Sequence, residues 1–258
     1  MQNETLRKVL YKYRDWSKEI HRRIITDREL YLASPKDFND PFDCRITQNF
    51  GLLKSDEDIL DYIRKLGIQN EAIKKSVFDR IKTNREEEQE KWNEYNFQKQ
   101  DEHYGVLSLS ERWDSILMWG HYSNCHTGFC VGFYEDKLGQ SGYFGKGGPV
   151  TYNDDFPSIN PKEEYSPEIS FIETHSKATD WEYEKEYRLL TLYYPSPPTN
   201  DERKIRIDKS CFAEIYIGIH FPQKDITEIE KLSSDLGATL YKVIQTPFKF
   251  KLERAKLI

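Results

Sequence analysis

Apolar and polar residues alternate with a period of two over several short stretches of this chain, and each such stretch reads as a strand with one buried face. Over Val9-Leu10-Tyr11-Lys12-Tyr13-Arg14 the alternation sets Tyr11 and Tyr13 on one face and Lys12 and Arg14 on the other. Residues 29–33 predict a second short strand, closed by Ser34-Pro35 because proline withdraws a ladder donor. Residues 104–110 place Val106, Ser108 and Ser110 on one face of a third, and 128–133 form a compact apolar strand in which Gly132 marks a close backbone approach. Further strands are expected at 150–152, 205–207, 214–218 and, last, 239–243.

Between these the period changes to that of a helix. From 55 to 102, Ile59, Tyr62, Ile63 and Leu66 and then Ile73, Val77, Phe78 and Ile81 recur at helical spacing. The charged run 84–91 follows with Trp92, Tyr95 and Phe97 behind it, as in an amphipathic helix. A shorter helix, capped by Asp114 or Ser115, sets Met118, His121, Tyr122 and Cys125 on one face. Helices are also expected over 169–180 and 225–236, and a turn at Phe38-Asn39-Asp40-Pro41-Phe42-Asp43, with Phe38 and Phe42 as its anchors. The expected architecture is α+β: one domain, 1–258, of mixed, mainly antiparallel sheets, with a helical block at 55–102 inserted between strands.

One strand carries chemistry. In Tyr183-Glu184-Lys185-Glu186-Tyr187-Arg188-Leu189-Leu190 an extended backbone directs Glu184, Glu186 and Arg188 one way and Tyr187 and Leu189 the other. Carboxylates on a core strand are costly unless paired or employed, so they are either in an ion pair with Arg188 on the solvent face of an edge strand or in a site. His121 reads either as a hydrogen-bonded core histidine or as a site residue beside Tyr122.

Composition narrows the classes. Acidic residues exceed basic ones, 44 to 38, and the net charge of −6 leaves no broad cationic footprint for a nucleic acid duplex. No apolar run approaches the roughly 20 residues that cross a bilayer, and the first residues do not form a signal-peptide core, so a cytoplasmic protein without a membrane partner is expected. Cys44, Cys125, Cys130 and Cys211 have neither zinc-knuckle nor redox spacing, and no metal is expected. The glycine-rich 139–148 has no Gly-Lys-Ser/Thr ending and is read as a loop rather than a phosphate cradle.

The ordered set Leu10-Tyr11-Lys12-Tyr13-Arg14, Phe38-Asn39-Asp40-Pro41-Phe42, Met118-Trp119-Gly120-His121-Tyr122, His126-Thr127-Gly128-Phe129 and Trp181-Glu182-Tyr183-Glu184-Lys185-Glu186-Tyr187-Arg188 resembles a bacterial family known as domain of unknown function 2971. That resemblance suggests a phage-defence context, with an antitoxin or defence partner.

A more distant resemblance concerns a basic residue on a first strand, Ser-x-Ser on a later one and Glu-x-Glu entering another. It is similar to the order in ADP-ribosyltransferases of the Arg-Ser-Glu class, and implies a split sheet and cleavage of NAD, by transfer to a protein, nucleic acid or small-molecule acceptor or by hydrolysis. It makes Glu186 the carboxylate that stabilises the oxocarbenium ribose and Glu184 the group that orients or deprotonates the acceptor. Arg14, with Lys12 as competitor for its position, pairs with the pyrophosphate; Ser108 and Ser110 organise the pocket; Tyr13, Trp119 or Tyr122, beside His121, stack on nicotinamide.

Two other classes fit the residues. One is a metal-dependent nuclease in which Asp40, Asp43, Glu184 and Glu186 hold Mg²⁺ and His121 or Lys12 assists at the phosphate. The other is a non-catalytic binding module built on the aromatic cluster 119–122.

Overall fold

The computed structural model describes residues 7–258. The chain divides into two compact units, one of residues 7–33, 104–150 and 180–258, the other of 34–103 and 151–179. The elements in chain order are β1 (Val9–Arg14), α1 (Glu19–Thr26), β2 (Glu29–Tyr31), α2 (Asp56–Lys65), α3 (Glu71–Thr83), α4 (Arg85–His103), β3 (Tyr104–Ser110), α5 (Ile116–Tyr122), β4 (Phe129–Tyr134), α6 (Glu135–Gly139), β5 (Lys146–Pro149), β6 (Thr151–Asn153), α7 (Pro167–Thr174), β7 (Ser176–Ala178), β8 (Glu186–Leu192), β9 (Lys204–Arg206), β10 (Phe212–Ile217), α8 (Ile226–Leu236), β11 (Thr239–Gln245) and β12 (Leu252–Lys256).

The first unit is built on an eight-stranded sheet in the order β12-β11-β10-β4-β1-β3-β8-β5, antiparallel except where β10 runs beside β11. Its registers set the two faces. Tyr11 lies opposite Ser110, Tyr13 opposite Cys130, Cys130 opposite Tyr216, and Ser110 opposite Glu186. Cross-strand partners share a face, so Tyr11, Tyr13, Ser108, Ser110, Cys130, Glu186, Arg188 and Tyr216 lie on one side of the sheet. The other side carries the larger apolar core, including Leu10, Leu107, Leu109, Phe129, Val131, Phe133, Leu189 and Ile215. Each fully buried Leu or Phe there stabilises the fold by about 1.5–3 kcal/mol.

The second unit holds α2, α3 and α4, which pack Phe50, Leu53, Ile59, Tyr62, Ile63 and Ile81 into a core of their own, together with α7 and the parallel pair β6–β7. The helical block read from 55–102 therefore sits within a larger unit. Ser55 closes a capping box with Asp58 at the start of α2, and Asn70 caps α3. Both satisfy N–H groups that the first helical turn leaves without partners.

Several expectations change. The helix sought over 169–180 is α7, which ends at Thr174, followed by β7 and a 3-10 stretch, Thr179–Glu184. Part of the glycine-rich loop is β5, the edge strand on β8. The strand expected to be last, β11, is followed by β12. Phe42 does not anchor its turn: it is exposed and meets Phe156 edge-on at 6.3 Å. Gly132 is as close-packed as expected, since an added Cβ would stand 2.8 Å from Glu214 Cγ.

Candidate functional site

The carboxylates of the Glu-x-Glu segment are delivered by a backbone break rather than by strand alternation. The 3-10 stretch Thr179–Glu184 ends at Glu184, Lys185 takes a left-handed conformation at φ 43°, and β8 begins at Glu186. A lysine in that region carries backbone strain. The end of β3 holds it in place: Ser110 Oγ donates to the Glu184 carbonyl at 2.6 Å, and the Glu111 N–H donates to the Lys185 carbonyl at 2.8 Å. Glu184 thus stands on a turn, not on the strand where the sequence reading placed it.

Both carboxylates are buried, each 4% exposed. Arg188, two residues along β8 and fully buried, meets Glu186 with two charge-assisted bonds, Nε to Oε1 at 2.8 Å and Nη2 to Oε2 at 2.9 Å. Tyr122 donates its hydroxyl to Glu184 Oε1 at 2.6 Å. The ion pair expected on a solvent-facing edge strand is therefore present but enclosed, because β8 lies between β3 and β5 and not at the edge. A bidentate guanidinium offsets the desolvation of the Glu186 charge.

The aromatic residues divide into core and rim. Trp119 is fully buried, donates Nε1–H to the Trp113 carbonyl at 2.7 Å and meets Tyr13 edge-on at 5.2 Å. Tyr13 is buried and donates its hydroxyl to the Arg112 carbonyl at 2.8 Å; burial raises its pKa well above that of a free tyrosine. Neither ring offers a face to a ligand. Tyr122 is half-buried and His121 exposed, and the His121 ring lies 6.0 Å from that of Tyr183. Tyr183 was not singled out from sequence, although it lies next to the acidic pair; neither was Arg188 as a site residue, although its i, i+2 spacing from Glu186 was the available signal.

The basic residues of β1 lie elsewhere. Lys12 sends its ammonium to the Ser108 carbonyl, in the gap where β1 and β3 share only the Tyr11–Ser110 pairing. Arg14 is half-buried on the apolar-core side of the sheet, opposite the face of Glu186, Ser108 and Ser110, and donates only to the carbonyl of its neighbour Tyr13, at 3.3 Å. It makes no ion pair among the described residues, and burial lowers its pKa to about 10. The structure brings together Glu184, Glu186, Ser110 and Tyr122; it does not bring Arg14 to them.

Other candidates are accounted for separately. α5 ends at Tyr122, so Cys125 leaves the face expected for it; Asn124, Cys125 and His126 follow in left-handed conformations, at φ 51°, 53° and 67°. In the second unit Asp40 accepts the Phe42 N–H at 2.9 Å, as turn chemistry requires, and the buried Asp43 lies 3.6 Å from the Lys177 ammonium. Among the described residues no group of three or more His, Cys, Asp or Glu is arranged to hold a metal ion. No described helix is long and apolar enough to cross a membrane.

No curated protein and no solved structure matches the chain. The model of one family does match: residues 118–189, which run from α5 through the Glu186–Arg188 pair, are similar to the family described as Protein of unknown function (DUF2971).

Proposed function

We propose that the Glu184–Glu186 site cleaves the nicotinamide–ribose bond of NAD, passing ADP-ribose to an acceptor or to water. One observation carries this reading: β1, β3 and β8 are neighbours in one sheet, and Ser110 stands directly opposite the buried Glu186. A fixed anion on a rigid strand stabilises oxocarbenium charge with little reorganisation, which is what breaking a glycosidic bond requires. In this reading Glu186 faces the ribose, Glu184 with the Tyr122 hydroxyl orients the attacking group, and the exposed His121 and half-buried Tyr122 edge the nicotinamide subsite. Arg188 is a positioning residue that holds Glu186. Arg14 lies on the wrong face for the pyrophosphate.

The bidentate engagement of Glu186 favours a second reading, a binding module in which the pair is structural. The test is nicotinamide release from NAD by the purified chain, with and without cell extract as acceptor source. The expected result is release that falls by about 10²–10³-fold in Glu186→Gln, the range for losing one transition-state contact, with folding checked by circular dichroism. Wild-type protein that releases no nicotinamide under either condition would leave the binding module.

A further inference from the structure

The most exposed apolar side chains among the described residues belong to one hairpin tip. β11 and β12 pair as far as Gln245 and Leu252, and the six residues 246–251 between them form a tight turn. The Thr246 N–H donates to the Lys251 carbonyl at 2.9 Å and the Lys249 N–H to the Thr246 carbonyl at 3.2 Å. On this ordered tip Phe248 and Phe250 are 106% and 102% exposed, so nothing in the protein covers either ring, and Phe248 is held at φ 58°. Ile244, on the strand just below, is also exposed.

Lys249 and Lys251 alternate with the two rings. Residues 246–251 contain no acidic group, and among the described residues the ion-pair contact of these lysines is a long one, Lys251 to Glu253 at 3.9 Å. Two phenylalanines and two ammonium groups on a convex, rigid point are complementary to a surface that is anionic on top and apolar beneath. We infer that this tip docks on an anionic lipid bilayer, with Phe248 and Phe250 entering the boundary between headgroups and acyl chains while Lys249 and Lys251 stay at the level of the lipid phosphates. The contact is peripheral. A single-stranded nucleic acid would need a groove to follow its backbone, and a projecting point on a chain of net charge −6 supplies none. Docking on another protein would leave the alternating lysines in need of carboxylates on the partner.

The experiment is sedimentation of the full chain with vesicles of phosphatidylcholine alone and of phosphatidylcholine mixed with phosphatidylserine. Binding is expected to the mixed vesicles and to weaken with salt. The double substitutions Phe248→Ser/Phe250→Ser and Lys249→Glu/Lys251→Glu should each weaken it by about tenfold or more, from the energies per buried ring and per lysine. All four side chains are on the surface, so circular dichroism should be unchanged. Failure of the wild type to sediment with the mixed vesicles would overturn the inference. So would Phe248→Ser/Phe250→Ser protein that binds as well as the wild type, or a wild type whose self-association or binding to single-stranded RNA, rather than to vesicles, is what those substitutions remove.

Discussion

Removing one member of the Glu186–Arg188 pair should cost far more than removing both. The Arg188 side chain has no exposure and that of Glu186 only 5%. Arg188→Met would remove two charged donors from a buried carboxylate, and Glu186→Leu would remove a bidentate carboxylate acceptor from a buried guanidinium. Breaking such a pair from one side costs about 3–5 kcal/mol, whereas replacing both members by apolar residues of similar volume is often near neutral. The two bonds, at 2.8 and 2.9 Å, agree with that scale, since hydrogen bonds to charged groups contribute about 1.5–3 kcal/mol each. The double substitution should therefore be more stable than either single one, with a coupling energy of at least about 2 kcal/mol in the double-mutant cycle. Urea unfolding at neutral pH measures it, followed by circular dichroism and tryptophan fluorescence together because two units can unfold in two steps. Single substitutions that each cost less than about 1 kcal/mol, the value of an exposed pair, would refute the reasoning, as would a double substitution whose cost is the sum of the singles.

Four further outcomes follow within the unit that holds this sheet. His21, whose pKa is lowered to about 4 by burial first and by the Arg14 charge second, stays neutral in the folded chain while the unfolded chain takes up its proton near pH 6.5. Its contribution to stability is therefore full above about pH 6.5 and is lost as the pH falls toward 4; an NMR titration of the ring with a midpoint at 6 or above would contradict this. Arg14→Met removes a desolvated cation that has no carboxylate partner, so the melting temperature should hold or rise and the His21 midpoint should move upward; a fall of several degrees would show that the guanidinium is stabilising. Gly218→Ala would place a Cβ 2.0 Å from the His126 carbonyl oxygen, a backbone atom that cannot swing aside, and should cost at least about 2 kcal/mol. Gly120→Ala in α5 meets no heavy atom within 4 Å and should gain up to about 1 kcal/mol, both read by thermal melts.

Alternation made most of the sheet legible. The two faces of β1 follow directly from Tyr11/Tyr13 against Lys12/Arg14, and the burial of β4 follows from its unbroken apolar run. What the pattern could not give was pairing. A strand's own sequence says which residues share its face but not which face of its neighbour they join, so Arg14 was set beside Glu186 when the Tyr11–Ser110 register puts them on opposite sides. The break at Lys185 was hidden for a related reason. A left-handed residue is foreseen where glycine or asparagine stands, and lysine gives no such sign. β12 was missed because its polar residues, Glu253, Arg254 and Lys256, outnumber its one buried side chain, Leu252.

The way the site is built bears on the choice between the two proposed readings, a structural pair and a working one. A sheet interior that needed only stability would be served as well by two apolar side chains at 186 and 188, given what desolvating both charges costs. Here the pair stands beside a second buried carboxylate, Glu184, held by a tyrosine hydroxyl from α5, and the residue between the two carboxylates is strained into a left-handed turn that β3 pins from its end. Strain of that kind persists only where neighbouring structure over-determines it. Two carboxylates fixed from three different elements, at the cost of both desolvation and backbone strain, form a constellation whose geometry is specified more tightly than packing requires. Substitutions that keep the fold, Glu186→Gln first among them, therefore carry more information about function than those that break it.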